Sequence, residues 1–141
     1  MSEVTETRDE FPFLDPDADM SPAEVDWWLK RLFNELAKSR IALRHARYAE
    51  VQAIKAYKTA REPLKYHADC PQPSRSTGIT KDDREDWINA RISAEYWDLE
   101  GKKVVKQAAE DYSRQIRDQV KCIQSIGANA RQAFDIAGRA S

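Results

Sequence analysis

Two segments of matching length, each opened by its own capping sequence, constrain this chain more than any other feature. The first opens at Ser21-Pro22-Ala23-Glu24 and the second at Thr80-Lys81-Asp82-Asp83. At the first, Ser21 can accept from the first free amides and Glu24 can reach back; at the second, the early acids Asp82, Asp83, Glu85 and Asp86 favour the positive end of the helix dipole. Pro22 stands where its missing N–H costs nothing. The first segment is free of internal breakers until Pro63, which is expected to kink or end it. The other prolines lie in the N-terminal stretch or at 71 and 73. Helices are therefore expected over 22–67 and 81–126. A polar loop over 68–80, rich in turn residues, joins them. Gly127 is read as a break, and residues 128–137 as a short third helix. The expected fold is all-α: a long antiparallel, coiled-coil-like hairpin filling 21–141, with a disordered acidic arm over 1–20.

Heptad rows support pairing of the two helices. In the first helix one row is Leu29, Leu36, Leu43, Glu50, Tyr57, Leu64, and the other is Val25, Leu32, Ser39, Ala46, Ala53, Ala60. A 3.5-residue repeat predicts a left-handed supercoil, and the alanines permit close approach. In the second helix the expected seam is Trp87, Ala90, Ala94, Trp97, Gly101, Val104, Ala108. It then shifts by one residue to Val105, Ala109, Tyr112, Ile116, Ile123, Ile126. Gly101 mid-helix costs about 1 kcal/mol relative to Ala. A close backbone approach near Ala46 is the expected compensation.

Charge is segregated. Residues 1–27 hold nine acids against Arg8, residues 28–66 hold ten Lys or Arg against three Glu, and the remainder balances. A net charge of −1 thus conceals an acidic arm and a basic helix. Within the arm, Phe11, Phe13 and Leu14 are the residues that favour burial. They fit either a solubilising tail or a segment that docks on a partner or on the basic helix. Trp27 and Trp28 are adjacent and cannot both face one helix. With Trp97 they join the arm residues as candidate partner contacts, and unpaired apolar surface implies a homodimer or an obligate complex. Arg40, Arg44, Arg47, Lys55, Lys58, Arg61 and Lys65 recur at helical spacing along one flank. They could follow a phosphate backbone, or pair with acids of the chain itself.

Catalytic constellations are not evident. The chain has no glycine-rich phosphate loop and no nucleophile–base pair. His67, Asp69 and Cys70 fall one ligand short of a zinc site, so no metal or cofactor is expected. No apolar run reaches the roughly 20 residues that span a bilayer. Cys70 and Cys122 would lie about 60 Å apart along a hairpin, too far for a disulfide. Free thiols without a signal segment fit a cytoplasmic protein.

Ala42-Leu43-Arg44-His45-Ala46, Ala53-Ile54-Lys55-Ala56-Tyr57, Arg91 and Ser125-Ile126-Gly127-Ala128-Asn129-Ala130-Arg131 resemble small helical-hairpin proteins of tailed bacteriophages and prophages. The likeness runs over about 25–137 and is mainly compositional. Such proteins are often encoded among recombination and replication genes. The resemblance implies a non-catalytic accessory role, acting on another protein in a DNA transaction. Direct nucleic-acid binding and inhibition of a host protein are the alternatives. The acidic arm and the Trp27–Trp28 pair depart from the pattern.

Overall fold

A computed structural model describes residues 19–139. They form three helices: α1 (Pro22–Lys65), α2 (Lys81–Arg91) and α3 (Ser93–Arg139). The fold is all-α, with long antiparallel helices and one short helix. The short helix is α2, at the start of the second arm. The sequence reading had placed it at 128–137. The arm and its candidates Phe11, Phe13 and Leu14 lie outside the described residues.

Both caps form. The Glu24 amide donates to Ser21 Oγ at 3.2 Å, and the Ser21 hydroxyl donates to the Glu24 carboxylate at 3.0 Å. At α2 the box is complete: the Asp83 amide donates to Thr80 Oγ1, and the Thr80 amide to Asp83 Oδ2 at 2.8 Å. Pro63 falls in the last turn of α1, which ends two residues later. In the loop, Ser74 and Ile79 form an isolated bridge closed by Gly78 at φ +74°, a backbone that favours glycine.

The chain divides into two compact units. The first combines residues up to Ala37 with those from Arg114 onward. Its core is aliphatic: Val25, Leu32, Leu36, Ile116, Val120 and Ile123 are all buried. Here α3 does not break at Gly127. A Cβ at 127 would stand 2.8 Å from Val25 Cγ1, so any larger residue there would force a shift. The glycine is a close-approach residue, and the hydrogen-bond ladder continues through it to Arg139.

The second unit covers Lys38–Ser113. Ala46, Ala53 and Leu99 are buried along its helices. At the tip Cys70, Ile88 and Ile92 form a small core with Tyr57, Ala60, Leu64 and Trp87 packed around it. Cys70, read from sequence as part of a polar hinge, is therefore a core residue. The helical break occurs in this unit, at Ile92 (φ −118°, ψ 41°). Arg91 stabilises it by donating to the Trp87 carbonyl at 3.2 Å while stacking over the Trp87 ring.

Candidate interaction surface

The residues that decide this site lie on α3 between Ser93 and Ser113. A helix paired on one side must choose which stripe to bury. The expected choice was Ala94, Trp97, Gly101, Val104 and Ala108. The structure makes the opposite one: all five are exposed, Trp97 by 68% and Val104 by 69%. Val105, expected to start the later seam, is exposed too. Facing inward instead are Ile92, Glu95, Leu99, Lys106, Ala109 and Ser113, each buried or half-buried.

The physical reason is Glu50. It occupies a seam position of α1, and its side chain is largely buried. An acid there needs a cation opposite, and Lys106 of α3 supplies one. Lys106 Nζ lies 2.9 Å from Glu50 Oε2 and 3.1 Å from Oε1. Arg47 and Glu110 add a pair on the flank at 3.7 Å, and Tyr57 donates to Asn89 Oδ1 at 2.6 Å. These polar contacts tie the helices of the unit together along the seam, where single polar groups can set register in other coiled coils.

The outcome is a second heptad stripe on α3, spaced 94, 97, 101, 104, 108 and turned to solvent. Its spacing is that of a coiled-coil seam. Trp97 is the large anchor, set edge-on to Tyr96 at 5.1 Å. Gly101, one turn on, has open space around it, and Ala94 and Ala108 are the other small members of the row. Gly101 has nothing within 4 Å of where a Cβ would sit, so the expected close approach at this position does not occur. Asp98 and Glu100 flank the stripe, and each has a lysine partner on its own helix, Lys102 and Lys103.

Trp27 and Trp28 sit in the other unit. Their rings pack edge to face at 5.2 Å, and the Arg31 guanidinium lies over both. Trp28 is half-buried, whereas Trp27 is exposed. Sequence reasoning was right that the pair cannot face one helix; it did not foresee the arginine that covers it.

The basic flank of α1 is partly consumed by the protein itself. Arg47 pairs with Glu110, Arg61 with Glu85, and Lys65 with Glu62. Arg40, Arg44, Lys55 and Lys58 are exposed and have no ion-pair partner among the described residues. Tyr48 and His45 are exposed between them.

A hollow lined by Gln52, Lys55, Ala56, Thr59, Ala60 and Glu95 is open to solvent. His67 accepts from the Asp69 amide and stacks against Trp87, so it is a structural part of the tip. Among the described residues no three His, Cys, Asp or Glu side chains are grouped to hold a metal ion, and no helix is long and apolar enough to cross a membrane. The Asp83 carboxyl is held below its ordinary value by hydrogen bonds from the Thr80 backbone and side chain. That is a cap effect, remote from the stripe.

No family model, curated protein sequence or solved structure matches the chain.

Proposed function

We propose that this chain is a non-catalytic interaction protein that receives a helix of another protein along the outer stripe of α3. One observation carries the reading. The helix turns Lys106 inward to Glu50, with Glu95 half-buried beside it, and leaves the heptad row Ala94, Trp97, Gly101, Val104, Ala108 exposed. Exposed apolar rows at this spacing are how helical proteins accept a further helix. A large aromatic among small neighbours is the usual anchor of such contacts. The phage resemblance suggests the setting, an accessory role in DNA recombination or replication in the cytoplasm. An inhibitor of a host protein would use the same surface, and the identity of the captured partner separates the two.

The test is a paired capture experiment from the native host. The variant Trp97→Glu with Val104→Glu is expected to keep its circular dichroism spectrum and melting temperature, since both side chains are exposed. It should lose proteins that the native chain retains. Identical retention by both would overturn the assignment of the stripe.

A second reading, direct nucleic-acid binding, is favoured by Arg40, Arg44, Lys55 and Lys58. They spread over 18 residues of α1, about 27 Å. Four phosphate contacts predict a log–log salt slope of about −3.6 on duplex DNA, hence roughly a hundredfold loss between 50 and 200 mM salt. Salt-dependent binding of that slope, abolished by Arg44→Glu with Lys55→Glu, would establish this reading. No binding at 50 mM salt would remove it.

A further inference from the structure

The buried seam of the first unit runs on after its partner helix has stopped. Along α3 the inward positions Val120, Ile123 and Gly127 continue at heptad spacing to Ala130, Phe134 and Ala137. Val25 packs on Gly127. α1 begins only three residues earlier, at Pro22, so nothing of α1 lies opposite Phe134 or Ala137. Accordingly Ala130 is half-buried, Phe134 is 60% exposed, and every described residue from 131 onward is exposed. An apolar core row has been left without its other half.

The residues that come next on the other side are those preceding Pro22. They carry Phe11-Pro12-Phe13-Leu14. We propose that this segment of the same chain packs onto the row Ala130, Phe134, Ala137 and extends the core of the unit past the start of α1. Reach allows it. Eight extended residues from Pro22 back to Leu14 span about 26 Å. Ten helical residues from Gly127 to Ala137 span about 15 Å. Proline at 12 and 16 favours an extended segment over a continuation of α1. Glu10, Asp15, Asp17 and Asp19 flank the apolar residues; on the last three turns of α3, Arg131 lies 4.0 Å from Asp26 of α1 and Arg139 stands against Asp135. Asp17 and Asp19 also precede the positive end of the α1 dipole. This surface belongs to a different unit from the α3 stripe, so the two proposals stand or fall separately.

Hydrogen exchange on the full chain tests it, with Phe11→Ser, Phe13→Ser and Leu14→Ser combined as the variant. Amides of 130–139 are expected to exchange at least about tenfold faster in the variant than in the native chain, as for a helix end that loses its cover. Equal exchange in both overturns the proposal. So does protection that grows with protein concentration, because a second copy would then be the cover. A reciprocal measurement leaves the arm intact. In Phe134→Ser, a glutamate-specific protease should cut after Glu10 several-fold faster than in the native chain, and an unchanged rate counts against the contact.

Discussion

Replacing Gly127 by alanine sets two effects against each other. In a helix interior alanine is favoured over glycine by about 1 kcal/mol. If Gly127 were an open helical position, the change would stabilise by that amount. Yet the new Cβ would meet Val25 Cγ1 at 2.8 Å, and Val25 is almost fully buried in the first turns of α1. Valine is stiff at χ1 in a helix, so its methyl cannot swing away cheaply. Overpacking of this kind costs about 1–3 kcal/mol. The expected net effect is a destabilisation of roughly 0.5–2 kcal/mol, and a melting temperature lower by several degrees. The cycle with Val25→Ala makes the reasoning sharp. Val25→Ala alone removes two buried methyls, about 1.6 kcal/mol of transfer free energy before any cavity term. In the double variant the new Cβ occupies space that the valine methyls vacated. The two changes should therefore be less harmful together than separately, with a favourable coupling near 1 kcal/mol or more. Urea unfolding followed by circular dichroism measures all four corners. A stabilising Gly127→Ala with additive effects would show that the approach of α1 to α3 at Val25 is looser than described.

Gly101→Ala is the control: it is exposed, with nothing within 4 Å, and should raise stability by about 0.5–1 kcal/mol in the same assay while preserving the helical spectrum. Glu50→Ala leaves Lys106 half-buried without its partner and should cost about 1–3 kcal/mol, between the ranges for surface and buried pairs, with the swap Glu50→Lys plus Lys106→Glu recovering part of the loss. Asp83 should titrate below 3.8 by carboxyl NMR, and Thr80→Ala should move it back up. Because its folded value is lowered, the cap contributes fully above the ordinary carboxylate value and is lost as pH falls through the folded value, so fraying of α2 should appear only on that acid side.

Much of α1 was legible because nothing competes with its pattern. Every residue of its two heptad rows, from Val25 to Leu64, is buried or half-buried. The caps were legible too, since a hydroxyl and an acid three residues apart have one local use at a helix start. The second arm misleads for identifiable reasons. Ala94, Trp97, Gly101, Val104 and Ala108 are more apolar than Glu95 and Lys106, and a reading by hydropathy picks them. What decides is pairwise: Glu50 on α1 requires Lys106. The signal was present in the row containing Glu50, but it concerns the other helix. The two glycines exchange roles for the same reason. Gly127 reads as a terminator only while Val25 is not known to sit on it. The break at Ile92 has neither Gly nor Pro to announce it.

Turning Glu95 and Lys106 inward also carries the functional argument. A unit seamed with alanine and charge buries less apolar surface than the same helices would with Trp97 and Val104 inside. Polar seams of this type favour one register over its competitors at some cost in stability. The residues excluded from the core then form a continuous row, since a heptad seam turned outward is still a heptad seam. Scattered surface apolar groups need no explanation, but a row at coiled-coil spacing with an aromatic anchor does. Stability alone does not account for it, because Trp97 and Val104 gain almost nothing from burial where they stand. A helix laid along the row would cover both, with the small residues Ala94, Gly101 and Ala108 beside them. Gly101→Ala therefore separates fold from function. It should stabilise the isolated chain while filling the open space at 101, so that tighter folding and weaker partner capture occur in the same variant. Stronger capture by Gly101→Ala would show that the open space at the glycine has no part in recognition.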